Sequence, residues 1–168
     1  AKGTDMVLAV LGEDEKSCGE SRSRTSLELP GRQQILLDRL LATGKPVVAI
    51  LVGGRPMAVP ELAEKADAIL FIWSPGTSAG TALVDVLTGR TNPEGRLVVD
   101  MAYSTGQMPL FYNRLPSSRP VDKVGNCCSC YRDGPWTALY PFGYGLSYTS
   151  FEYANEKVEV KGEGEQRK

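Results

Sequence analysis

The chain has no histidine among its 168 residues. That absence excludes Ser-His-Asp and Cys-His nucleophilic catalysis and any histidine-ligated metal site. Its net charge of −1 gives no electrostatic footprint for nucleic acid or an anionic membrane. No apolar run approaches the roughly 20 residues of a membrane span. There is no secretory leader and no initiator methionine, so Ala1 is expected to mark a processing boundary. Cysteine is scarce: Cys18, Cys127, Cys128 and Cys130. Cys127 and Cys130 have the C-x-x-C spacing of redox and zinc sites. No second pair exists to complete a tetrahedral zinc site, and the segment is turn-rich rather than the opening of a helix. These cysteines are read as structural or incidental, and a disulfide to Cys18 is not decided by the sequence. No metal and no cofactor are expected.

What is present is the alternation of an α/β fold. Hydrophobic residues make up 42% of the chain, enough for a single core. Residues 6–11 form an apolar run closed by Gly12 and read as a buried strand. Pro30 and Gly31 open a helix whose apolar face carries Leu36, Leu37, Leu40 and Leu41, and Gly44 and Pro46 end it. Residues 47–52 are a second strand, ended by Gly53 and Gly54. Pro60 starts a short helix reaching Lys65. Residues 68–73 are a third strand. Residues 78–88 are a third helix, with Ala79, Ala82, Leu83, Val86 and Leu87 on one face, Gly89 as its cap and an N-terminal cap expected from Ser78. Residues 97–99 are a candidate edge strand. Such alternation predicts a parallel sheet flanked by helices. Beyond residue 102 regular structure thins and aromatics rise. Residues 154–168 are charged and glycine-bearing, a tail expected to be disordered.

In an open α/β sheet, ligands bind outside the carboxyl ends of the strands. Three loops leave those ends: residues 12–24, 53–56 and 73–80. The first is long for a strand-to-helix connection and holds Glu13, Asp14, Glu15 and Glu20, with Arg22 and Arg24 beside Glu20. Taken alone it reads as a solvated, flexible charged loop. The second, Gly-Gly-Arg-Pro, lacks either phosphate-loop spacing, so Arg55 is read as a structural hydrogen-bond donor. In the third, Trp73 is read as core rather than as a sugar-stacking platform.

The end of the chain carries a distinctive string, LYPFGYGLSYTSFEY, at residues 139–153. Tyr140, Phe142, Tyr144 and Tyr148 are spaced by Pro141, Gly143 and Gly145. Glycine permits close backbone approach and aromatics bury large areas, so the segment is expected to strap back over a preformed surface as far as Tyr153. The string resembles the segment closing the second domain of glycoside hydrolase family 3, the β-glucosidase and β-xylosidase group. SRTSLELPGRQQILLDRLLATGKPVVAILVGGRPMAVP, ADAILFIWSPGTSAGTALVDVLTGRTNPEGRL, GQMPLFYN and CYRD resemble family segments in the same order. Two departures are visible. Ser78, Ala79 and Gly80 stand where the family usually has Glu-Gly-Gly, and residues 97–101 replace a Leu-Pro…Phe-Pro pattern.

The resemblance implies a flavodoxin-like three-layer α/β sandwich at residues 1–153, with a mainly parallel sheet followed by the aromatic strap. It implies a retaining β-glycosidase acting on a carbohydrate substrate, periplasmic or secreted. Its aspartate nucleophile would lie on an N-terminal barrel domain that this chain does not contain. The first strand would then lack its usual neighbours. In the family the general acid/base is a glutamate on the first loop. Glu20 matches it by its spacing to SRTSLELPG, and Glu13, in the Gly-Glu that begins the loop, is the fallback. Two other readings stay open: a non-catalytic module of the same ancestry, and a small-ligand or phosphoacceptor domain. The latter lacks its aspartate after a central strand.

Overall fold

A computed structural model describes residues 3–115 and 131–159. Cys127, Cys128, Cys130 and the end of the tail lie outside the described residues. The element order is β1 (Val7–Gly12), α1 (Gln33–Leu41), β2 (Val47–Val52), α2 (Pro60–Lys65), β3 (Ala68–Phe71) and α3 (Ala79–Leu87), then a 3-10 turn at Thr105–Gln107. The strands form a parallel sheet in the order β1-β2-β3. Val7 aligns with Val47 and Val48 with Ala68. The protein is an α/β sandwich, as the alternation predicts.

Strand period places alternate residues on one face. Ala9, Leu11, Val47, Ala49 and Leu51 share a core with Leu37 of α1 and Leu62 of α2. Leu37 is fully buried; Leu36, expected on the same face, is half exposed. The reason is angular: successive helix residues point about 100° apart, so Leu37, with Leu40 and Leu41, turns to the core while Leu36 turns away. Gln34 Nε2 donates to Glu61 Oε2 (3.2 Å), tying α1 to α2. On the opposite face, Leu8 and Val10 of β1 are 49% and 64% exposed, whereas Ile50 of the central strand β2 is buried, so that side is uncovered along β1.

Three expectations are corrected. β3 stops at Phe71 rather than residue 73, because Trp73 turns into the left-handed region (φ 50°) and sets its ring edge-on to Phe71 at 4.3 Å. Helix α3 buries no side chain completely, and Ser78 makes no side-chain cap bond. Residues 97–99 form no strand. Instead, residues 97–101 pair with the aromatic string: Gly143 N–H donates to Leu97 O (2.7 Å), Leu97 N–H to Tyr144 O (2.9 Å) and Met101 N–H to Tyr140 O (2.8 Å).

The string therefore works as a clasp. Tyr140 and Tyr144 stack at 4.8 Å. Tyr148 Oη donates to the Val86 carbonyl at the end of α3 (2.9 Å), and Asn92 Oδ1 accepts from Tyr148 N–H (2.8 Å). Gly145 sits so close to the preceding turn that a Cβ would lie 2.8 Å from Gly95 O. The clasp ends sooner than expected: Phe151 and Tyr153 are 81% and 86% exposed. Buried Gln107 fastens the other side. It accepts from Tyr103 N–H (2.6 Å) and donates to Pro135 O (2.6 Å) and Thr137 O (3.1 Å).

Candidate active site

The three loops gather at the carboxyl end of the sheet, and the first two are built against each other. β1 ends at Gly12, whose φ of 135° suits glycine, and a Cβ there would overlap the Val52 carbonyl. The Gln33 side chain closes on Gly12, donating to its carbonyl (2.7 Å) and accepting from its N–H (2.6 Å). Glu13 N–H then bonds Val52 O (2.8 Å), which turns the Glu13 side chain toward the second loop.

The Glu13 side chain is wholly buried between two arginines. Arg24 Nη1 donates to Oε1 at 2.9 Å. Arg55 Nε lies 3.1 Å from Oε2, an ion pair whose direction misses hydrogen-bond geometry, so that oxygen has no hydrogen-bond partner. Burying a carboxylate is costly unless it is paired, and here two guanidiniums pair it. Arg24 also donates to Glu28 O (3.0 Å), so its charge goes to Glu13 and not to neighbouring Glu20. The reading of Arg55 as a structural donor holds: its Nη2 donates to Ser17 O (3.0 Å) and Arg22 O (2.8 Å).

The loop makes two tight turns, one leading into Ser17 and one between Ser17 and Arg22. Asp14 Oδ1 accepts from the Ser17 hydroxyl (2.7 Å), Ser17 N–H (2.9 Å) and Lys16 N–H (3.2 Å). The Ser17 hydroxyl bond, helped by these backbone N–H groups, holds the Asp14 carboxyl below its usual range. Gly19 (φ 141°) and Ser21 (φ 57°) flank Glu20, and Arg22 N–H closes on Gly19 O (3.1 Å). Glu20 is exposed, and its carboxylate engages no described residue. The loop is therefore anchored, where sequence alone suggested a flexible one.

The structure thus separates the two candidate glutamates. Glu13 is shut inside the fold; Glu20 is presented to solvent. Nothing local to Arg55 or Gln33 announces these partners, because each bonds backbone far away in sequence; for Gln107 only the local capping box with Ser104 is legible. Cys18 is a free thiol packed over Gly54, and its conceivable partners lie outside the described residues. Among the described residues no group of His, Cys, Asp or Glu could hold a metal ion. A cleft of about 680 Å³ lined by Asp38, Lys45, Glu61 and Asp67 lies at the amino ends of the strands, away from these loops.

Comparison with known proteins agrees with the fold and the loop order. The family model for the glycosyl hydrolase family 3 C-terminal domain matches residues 1–148. The chain belongs to glycoside hydrolase family 3, as a C-terminal domain of its β-glycosidases. Among relatives, it is 45% identical over 153 residues to a periplasmic beta-glucosidase of Salmonella typhimurium, covering 90% of this chain and 20% of that protein. A beta-xylosidase of Formosa agariphila is 39% identical, over 95% of this chain and 21% of that protein. A crystal structure of beta-glucosidase from Listeria innocua in complex with isofagomine superposes with a TM-score of 0.85 at 43% identity, covering 90% of this chain and 22% of that one. The chain spans about a fifth of the length of these relatives. Among the described residues no helix is long and apolar enough to cross a membrane.

Proposed function

We propose that this domain supplies the general acid/base, Glu20, to a retaining β-glycosidase whose aspartate nucleophile lies on a separate N-terminal barrel domain of the same protein. Double displacement needs two carboxyl groups about 5–5.5 Å apart, one to attack the anomeric carbon and one to protonate the leaving oxygen. The observation carrying the reading is the contrast between the glutamates. Glu20 is exposed between Gly19 and Ser21, whereas the Glu13 side chain is sealed between Arg24 and Arg55. An acid/base must reach substrate, and of the two candidate glutamates Glu20 is the exposed one. Glu20 protonates the departing oxygen in the first step and deprotonates water in the second. The substrate is a terminal β-linked glucoside or xyloside, by likeness to the beta-glucosidase and beta-xylosidase relatives. By likeness to the periplasmic relative, the protein works in the periplasm or outside the cell.

The test is chemical rescue in the complete protein. Glu20→Gln keeps the shape but cannot deliver or accept the proton. With an activated aryl glycoside, added azide should restore turnover and yield the β-glycosyl azide, because azide attacks without base assistance. Azide rescue of Glu13→Gln and not of Glu20→Gln would overturn the assignment. The chain by itself should not hydrolyse aryl β-glycosides, since one carboxyl cannot complete the double displacement.

A further inference from the structure

Arg55 bonds the backbone on both sides of Glu20. Its Nη2 holds the carbonyls of Ser17 (3.0 Å) and Arg22 (2.8 Å), while its Nε faces buried Glu13 at 3.1 Å. Two carbonyls drawn to one guanidinium force the intervening residues outward, and Gly19 and Ser21 take the positive φ values that this bulge needs. The fit between loop and turn is close. A Cβ on Gly53 would lie 3.4 Å from Glu13 Oε2, and one on Gly54 would lie 2.5 Å from the Cys18 sulfur.

We propose that Arg55 is the positioning residue for Glu20, fixing the loop so that the carboxyl is presented at one place. The catalytic part rests on the reading of Glu20 as acid/base; the anchoring part stands on this geometry alone. A general acid must sit within hydrogen-bond reach of the leaving oxygen, and a misplacement of about 1 Å can cost about 10²-fold. Lysine cannot take the place of Arg55. It has one nitrogen, whereas the planar guanidinium serves the carboxylate from Nε and the two carbonyls from Nη2.

The experiment uses the complete protein with phenyl and 2,4-dinitrophenyl β-glucosides and β-xylosides as probes. Arg55→Met should lower kcat on the phenyl substrate by about 10–100-fold, a share of the general-acid contribution. It should lower kcat much less on the dinitrophenyl substrate. Arg55→Lys should not restore the loss, while added guanidinium should restore Arg55→Met in part. Because Arg55 acts through Glu20, Glu20→Gln/Arg55→Met should be no slower than Glu20→Gln. Losses that multiply in the double variant would overturn the positioning role. Amide exchange provides the second readout. In Arg55→Met, the amides of Cys18 and Arg22 should exchange at least about 10-fold faster while that of Leu51 in β2 stays protected. Unchanged exchange at Cys18 and Arg22 would overturn the anchor.

Gly54→Ala covers the case in which Arg55→Met fails to fold. Its backbone is of an ordinary kind, so the added methyl acts only on the Cys18 thiol. It should give the same effects more weakly, relieved by Cys18→Ala; absence of any effect at Cys18 and Arg22 would count against the close docking. If Glu20→Gln shows no leaving-group dependence, the acid/base reading falls. Arg55 is then judged on exchange alone, as above.

Discussion

Replacing Glu13 by glutamine should damage stability, and replacing Glu20 should not. Glu13 is wholly buried, with Arg24 at 2.9 Å and Arg55 at 3.1 Å, and each arginine side chain is only about a fifth exposed (19% and 20%). Removing one partner of a buried pair typically costs about 3–5 kcal/mol, because the remaining charge is left uncompensated. Two features reduce that figure here. The arginines keep some solvent, and glutamine retains an oxygen for Arg24. The expected loss is about 2–3 kcal/mol, or about 5–10 °C in Tm for a protein of this size. Glu20→Gln removes no ion pair among the described residues, so its midpoint should match that of the parent. Urea unfolding followed by tryptophan fluorescence measures both. A double-mutant cycle sharpens the test. Glu13→Gln with Arg55→Met should cost less than the sum of the singles by at least about 1 kcal/mol, since each single orphans the other group. A parental midpoint for Glu13→Gln, or strict additivity in the cycle, would refute the buried-triad argument.

Gly145→Ala should loosen the clasp. Its methyl would meet the Gly95 carbonyl at 2.8 Å and the Arg96 side chain at 2.7 Å, a conflict of about 1–3 kcal/mol. Faster amide exchange at Leu97 and Gly143 would report it. Alkaline stability should involve Tyr140, whose phenol is held above its usual range by burial first and by nearby Tyr144 and Tyr103 second. A raised folded pKa means that folding favours the protonated phenol. The contribution is complete below the unfolded value of about 10 and is lost as pH rises through the folded one. Unfolding midpoints from pH 9 to 12 should fall less steeply for Tyr140→Phe than for the parent, and identical slopes would contradict the argument.

How legible this protein is from sequence depends on whether its signals are local. Strands and helices written in apolar period appear where expected: Val47–Val52 and Pro60–Lys65 match the expected spans. Their ends are readable because Gly44 and Gly89 take the positive φ values expected at helix termini. Trp73 misleads because a β-favouring aromatic sits in a left-handed turn. Residues 97–99 mislead because an apolar run is paired with a distant irregular segment rather than with the sheet. The loop 12–24 is recognisable as important by length and charge. Which glutamate is buried is not, since Glu13 and Glu20 differ only in partners that the folded chain brings from Arg24 and Arg55.

The most direct test of the account is the leaving-group dependence of kcat in the complete protein, for parent, Glu20→Gln and Glu13→Gln, across aryl β-glycosides of graded phenol acidity. Removing a general acid leaves the departing phenolate to carry its own charge, so the penalty should grow as the phenol becomes less acidic. For Glu20→Gln the account predicts a loss of about 10²–10⁴-fold on the poorest leaving group, shrinking steadily toward the best, while Glu13→Gln, which acts only through Arg55, shows at most the smaller dependence expected of Arg55→Met. A flat profile for Glu20→Gln, or a steep one for Glu13→Gln alone, would contradict it.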